Sequence, residues 1–242
     1  MTAHGLPADF AATRWSLVLG AGDRDPATAH ASLVALCERY RYPVYAYLRR
    51  SGHAPEGAQQ LSGAFFAGLL ETGIGQRDAM RHGRFRLFLL DGLHRFLSVD
   101  HLQPPTQAPA ADESPPLAEL EARHLAASGM PGSPEEMLRR GFAVELMDLA
   151  HRRLRHEAVE SGHEAMFEAL EAFLGAEPRP GEYEAIAGRL GVRPLFVSMA
   201  VKRLRQRFRE LVDRELAETL ANPADMDDER SALLHVSMDP PG

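Results

Sequence analysis

The sequence has little cysteine and no long apolar run. One cysteine, Cys37, occurs among 242 residues, which excludes an internal disulfide framework. No segment approaches the ~18 apolar residues that a membrane helix needs. The N-terminus also lacks the basic start and apolar core of a secretory signal. We therefore expect a soluble, cytoplasmic protein with no membrane partner, in which Cys37 is a buried, inert thiol.

A basic surplus is also missing. The net charge is −7, and residues 101–242 contain 16 basic and 25 acidic side chains against 11 and 9 in residues 1–100. A nucleic-acid-binding protein usually has a basic excess. Any contact with nucleic acid must therefore come from a local cluster of basic side chains.

Motifs for catalysis and metal binding are absent as well. The eleven histidines are scattered, and His151 and His156 are five residues apart, so they do not share one helix face. There is no HExxH motif and no phosphate-binding glycine loop. We expect no catalytic residue, no metal, no cofactor and no enzymatic activity.

Helical periodicity runs through most of the chain, and strand alternation is missing. The pattern predicts an all-α protein. The predicted helices cover 27–50 (kinked or broken at Pro43), 55–71, 84–99, 134–160, 164–174, 183–190 and 195–216.

Composition divides the chain into two helical domains. Residues 103–116, QPPTQAPAADESPP, are rich in Pro and Ala and have no apolar periodicity, which is typical of a linker. We predict an N-terminal helical domain at 1–102, a linker at 103–132, a helix-turn-helix domain at 133–220 and an acidic tail at 221–242.

The helix at 55–71, PEGAQQLSGAFFAGLLE, has no charge between its two glutamates. Exposed helix faces are usually charged, and each glycine costs about 1 kcal/mol relative to alanine. The charge-free face is an unusual feature that calls for an explanation.

Residues 182–208 predict a helix, a glycine turn and a second helix, which is the helix-turn-helix pattern. The second helix carries a basic cluster that can neutralise phosphates. The predicted DNA-binding residues are Arg193, Ser198, Lys202, Arg203, Arg205 and Arg207. A plain helical hairpin with a solvated basic end is the alternative, because Pro194, Leu195 and Phe196 stand where base-reading side chains are normally found.

Two stretches, RYPVYAYLRR and RFRLFLLDGLHRF, interleave basic and aromatic residues. Such interleaving occurs in platforms for single-stranded nucleic acid. An aromatic core with arginines that reach the solvent is the favoured interpretation.

Several of these motifs together resemble the extracytoplasmic-function (ECF) sigma factors of bacterial RNA polymerase. The resemblance rests on TRWSLVL at 13–19, YPVYAYLRR with GH at 42–53, FF and LL at 65–70, and GRFR with FLL at 83–90. In the second half it rests on MFEAL, YEAIAGRLG, AVKRLRQRFREL and NPADMDDE. It covers nearly the whole chain.

The resemblance implies that the first domain binds core RNA polymerase and melts promoter DNA, while the second domain reads an upstream promoter element. The polymerase-binding positions would be Gln59, Gln60, Ser62, Gly63, Phe65 and Phe66. Family members usually carry acids and a glutamine where this chain has Gly57, Gln59, Gln60, Gly63 and Ala64.

Three alternative interpretations follow. In the first, the protein is a sigma factor whose activity is conditional on added charge, for example from a kinase that phosphorylates Ser62. In the second, it is a sigma-like scaffold that binds a protein partner instead. In the third, it is a DNA-binding regulator that uses the basic end of its last long helix.

Overall fold

Eleven α-helices and no strand make up the part of the chain that the computed structural model describes, residues 13–19, 26–71, 83–98, 116–127 and 131–237. The all-α prediction is confirmed. The helices are α1 (Arg14–Leu19), α2 (Pro26–Arg39), α3 (Arg41–Arg50), α4 (Pro55–Glu71), α5 (Phe85–Ser98), α6 (Leu117–Ala127), α7 (Pro134–Glu160), α8 (Glu164–Leu170), α9 (Glu182–Leu190), α10 (Pro194–Ala217) and α11 (Met226–Ser237).

The described residues form two compact units. The larger unit contains the residues up to Glu145 and those from Ala217 onward, and the smaller unit is Leu146–Leu216. This division differs from the predicted boundaries, because helix α6 lies inside the predicted linker and the predicted acidic tail belongs to the larger unit. Residues 103–115 and 128–130 of the predicted linker and 238–242 of the tail lie outside the described residues.

Aromatic side chains fill the core of the larger unit. The rings of Tyr40 and Phe142 stack with centroids 4.0 Å apart, and the Trp15 ring lies 5.1 Å from those of Phe85 and Phe88. The two interleaved stretches, at 41–50 and 84–96, contribute Phe85 and Phe88 to this core, together with the buried Tyr42, Tyr45 and Tyr47. Because these rings are in the core, they do not form a platform for single-stranded nucleic acid.

Pro43 determines where two helices meet. Its ring clashes with the carbonyl four residues earlier, so α2 ends at Arg39 and α3 begins at Arg41, as the sequence predicted. Gly141 of α7 packs directly against this proline. A Cβ atom on Gly141 would lie 2.9 Å from the Cα atom of Pro43, so this helix contact requires a glycine.

The smaller unit packs α8, α9 and α10 around one apolar cluster. Its buried members are Leu170, Phe173, Ile186, Ala187, Val197 and Val201. A second cluster contains Ala150, Leu154, Phe167 and Leu211. These residues recur every three or four positions on their helices, so each helix keeps one apolar side inward.

Candidate functional site

The predicted polymerase-binding residues of α4 divide between the core and the surface. Three of them are buried in the larger unit: Ser62, Phe65 and Phe66, which are 7, 5 and 2 % exposed. Gln60 is exposed, and Gln59 and Gly63 are half-buried. Only these last three are accessible to a partner.

Ser62 does not lie in the charge-free surface, contrary to the prediction. It is four residues from Ala58 and from Phe66, and all three are on the inward side of α4. A phosphate would bring about −1.5 to −2 charges into this apolar surrounding, at a high desolvation cost. The burial of Ser62 therefore overturns its assignment as an accessible phosphorylation switch.

The glycines of α4 are not required by packing. A Cβ atom on Gly57, Gly63 or Gly68 would have no atom within 4 Å outside its own local backbone, and none of the three has a positive φ. Among the described residues, no neighbour needs the space that these glycines leave open. The charge-free surface of α4 therefore has no structural explanation among the described residues of the larger unit.

Helix α6 packs against α3 and α4, and a charged cluster holds it there. The Arg49 guanidinium donates to both carboxylate oxygens of Glu121, at 2.9 and 2.7 Å, and the Tyr45 hydroxyl donates to the same carboxylate at 2.5 Å. The hydrogen bonds from Arg49 lower the pKa of Glu121 to about 2. Residues 117–127 of the predicted linker thus form a helix that packs against α3 and α4.

Two of the motifs on which the resemblance rests, at 13–19 and 83–90, meet the segment 218–221 in the larger unit. The Thr13 hydroxyl donates to the Leu220 carbonyl at 2.6 Å, and the Trp15 amide donates to the Glu218 carbonyl at 3.0 Å. The amides of Phe85 and Ala221 complete a short antiparallel bridge, donating to the carbonyls of Thr219 at 2.9 Å and of Gly83 at 2.8 Å.

Two arginines of the GRFR motif bind the acids that follow this bridge. Arg86 donates to both oxygens of Glu229 at 2.6 and 2.9 Å, and the Glu229 side chain is 1 % exposed. Arg84 contacts Asp225, Asp228 and Glu229 at 3.2 to 3.4 Å. Sequence reasoning missed this pairing, although the acidic run DMDDE was a visible complement for the two arginines.

In the smaller unit, α9 and α10 meet through a tight turn at Gly191. This residue has φ +66°, a left-handed conformation that favours glycine, and the Val192 amide donates to the Ala187 carbonyl at 3.0 Å. Proline then occupies the first position of α10, where its missing N–H costs nothing. The two helices pack through Ile186 and Val197.

Two of the predicted DNA-binding arginines are held within the protein. Arg205 donates to the carbonyls of Phe173 and Ala176 at 2.7 and 2.8 Å. Arg207 makes two bonds with Glu157 at 2.8 and 2.6 Å, which raise the pKa of its guanidinium. Both side chains therefore stabilise the unit and are poorly placed for phosphate binding.

The other predicted DNA-binding residues lie on the outward side of the turn and of α10. Arg193, Lys202 and Arg203 are exposed, and their side chains make no hydrogen bond or ion pair with a described residue. Ser198 is half-buried, and its hydroxyl donates to the Leu195 carbonyl at 2.9 Å. Three free cations therefore remain from the predicted set.

Large apolar side chains lie between these cations. Leu195, Phe196 and Met199 are 69, 49 and 47 % exposed. Phe196 also borders an open, mostly apolar groove of about 330 Å³ that includes Met166, Phe167, Ala200 and Arg203. Sequence reasoning noted the first two apolar residues but missed Met199, which one turn of helix brings beside Leu195.

The acidic surplus of the second half of the chain lies outside the smaller unit. Residues 146–216 contain twelve basic and twelve acidic side chains, so their formal charge is zero. The surplus therefore gives no electrostatic argument against an anionic partner for this unit.

No protein-family model, curated protein or solved structure matches the chain. None of the described helices is long and apolar enough to cross a membrane. Within the same residues, no group of His, Cys, Asp and Glu side chains has the arrangement of a metal site.

Proposed function

We propose that the protein is a sigma-factor-like, non-enzymatic transcription protein of the cytoplasm. The larger unit binds core RNA polymerase, and the α9–α10 pair of the smaller unit binds promoter DNA as a helix-turn-helix. The observation that carries the proposal is the arrangement of α10. It packs Val197 and Val201 inward, while Lys202 and Arg203 and the preceding Arg193 point outward with side chains that have no partner among the described residues.

The DNA part of the proposal predicts a specific salt dependence. Changing Lys202 and Arg203 to Gln removes two phosphate contacts, so the slope of log K against log salt should fall by about 2. Fluorescence anisotropy with a labelled duplex between 50 and 200 mM salt measures this slope. Arg152→Gln, an exposed cation on α7, is the control. An unchanged slope in the double variant would contradict DNA binding by α10.

The polymerase part of the proposal concerns the exposed surface of α4. We expect weak binding to core polymerase, because the acids that family members use are missing, and tighter binding when Gln60→Asp and Gly63→Gln restore polar groups there. Charge at the buried Ser62 should instead destabilise the larger unit, so Ser62→Asp is a matched comparison. Surface plasmon resonance with immobilised core polymerase, alongside thermal unfolding, separates these effects.

Binding of a protein partner is the second candidate function. The apolar groove beside Phe196 and the open small-residue surface of α4 favour it. If neither the natural chain nor the α4 variant binds core polymerase, and the Lys202 and Arg203 changes leave the salt slope unaltered, this second function replaces the first.

A further inference from the structure

The outward side of α10 has an apolar centre between cationic ends. Leu195 and Met199 occupy the first two helical turns, with Phe196 beside them, and all three are exposed. Arg193 precedes them, and Lys202 and Arg203 follow. A helix of this kind cannot read bases by paired hydrogen bonds, because its central side chains have no donor or acceptor suited to a base edge.

The spacing of the cations fits duplex DNA. Lys202 lies nine positions after Arg193, which is a rise of about 14 Å at ~1.5 Å per residue. The major groove is ~12 Å wide, so its two phosphate backbones are separated by a similar distance. Cations on both sides of the apolar centre therefore match the phosphates, while the centre faces the floor of the groove.

The floor of the major groove offers one apolar group, the C5-methyl of thymine. Burying exposed apolar side chains against methyl groups is favourable because both surfaces leave water. We infer that Leu195, Phe196 and Met199 recognise thymine methyl groups in the major groove, with Arg193, Lys202 and Arg203 on the flanking phosphates. The inference rests on the proposed DNA-binding function and assigns the means by which the base sequence is read.

Deoxyuridine provides a direct test, because it pairs like thymidine but lacks the methyl group. Duplexes bound by the full chain are first selected from a pool with a randomised centre, and the selected duplexes are then resynthesised with deoxyuridine in place of thymidine. We expect affinity to fall about three- to fivefold for each contacted methyl that is removed. Anisotropy titrations of fluorescein-labelled duplexes measure the change.

Variants connect this effect to the helix. Leu195→Gln with Met199→Gln should reduce the preference for thymidine over deoxyuridine to the part that Phe196 alone supplies. Val159→Gln, at another exposed apolar position, should keep the preference. Circular dichroism and thermal unfolding verify that the variants fold.

Each contrary result has a distinct meaning. Equal affinity for the two kinds of duplex, measured on selected sequences, overturns methyl recognition and leaves the proposed DNA binding in place. Failure to enrich any duplex overturns DNA as the occupant of this surface and points to an acidic, apolar protein segment. Binding to core polymerase is measured separately, so failure of the inference is distinguishable from failure of the proposed function.

Discussion

Single residues in this protein have roles that neighbouring atoms decide, and glycine is the clearest case. A Cβ atom on Gly141 would lie 2.9 Å from the Pro43 backbone, whereas a Cβ atom on Gly63 would have no atom within 4 Å. Both are helical glycines, and helix propensity alone treats them alike. Their substitutions should therefore have opposite signs.

We expect Gly141→Ala to destabilise the larger unit by about 1–3 kcal/mol, because the added methyl overlaps backbone that must move. Gly63→Ala should stabilise it by about 0.5–1 kcal/mol through lower entropy of the unfolded chain. Urea unfolding followed by the fluorescence of Trp15, the one tryptophan, measures both. A stabilising Gly141→Ala would refute the close helix contact.

Helix α6 illustrates how an element in a linker-like sequence becomes ordered. The helix is short, and isolated helices of this length are marginal in water. Contacts with α3 and α4 stabilise it, and the Arg49–Glu121 pair and the bond from Tyr45 hold it in place. The Arg123 guanidinium also lies 4.1 Å from the centre of the Tyr42 ring.

The stability of the contact between α6 and α3 should depend on pH. The pKa of Glu121 is about 2, below its ordinary 4.5, chiefly because Arg49 donates hydrogen bonds to it. A lowered carboxyl pKa gives stability that is present above pH 4.5 and is lost as the pH falls toward 2. Burial also lowers the pKa of His124, so its protonation below pH 6.5 acts in the same direction.

Glu121→Gln should lower the free energy of unfolding by about 1–2 kcal/mol at pH 7. Its difference from the natural chain should shrink between pH 4.5 and 2, where the natural carboxylate becomes protonated. Urea midpoints at pH 7, 5, 4 and 3 measure this. Glu119→Gln, an exposed acid on the same helix, is the control, and a pH-independent difference would contradict the role of Arg49.

On the scale of the whole molecule, the two ends of the described chain belong to one unit. The segment from Ala217 onward binds both the N-terminal helix and the start of α5. At the centre of this contact the Arg86–Glu229 pair is almost completely buried. Breaking such a pair is costly because the remaining charge stays buried without its partner.

Glu229→Ala should therefore destabilise the larger unit by about 3–5 kcal/mol. Asp228→Ala, whose side chain is 80 % exposed, should cost less than about 1 kcal/mol. A double change, Arg86→Met with Glu229→Leu, should recover most of the loss because it leaves no buried charge. Trp15 fluorescence during urea unfolding compares the three, and equal losses for the two single variants would contradict a buried pair.

Local patterns in the sequence determined much of the fold. Helical spacing, the break near Pro43 and the glycine turn at 191 each depend on residues a few positions apart, so most of the helices and the α9–α10 pair were predictable, whereas α1 and α6 were not predicted. The apolar character of Leu195 and Phe196 at the start of α10 was visible for the same reason.

The tertiary structure alone decided which charged side chains are paired within the protein and which are available to bind a partner. The acids after residue 222 pair with Arg84 and Arg86 across more than 130 residues. Arg205 and Arg207 are occupied by carbonyls and by Glu157, which leaves Arg193, Lys202 and Arg203 free. Contacts between distant segments set burial and charge pairing, and no local pattern encodes which distant segments meet.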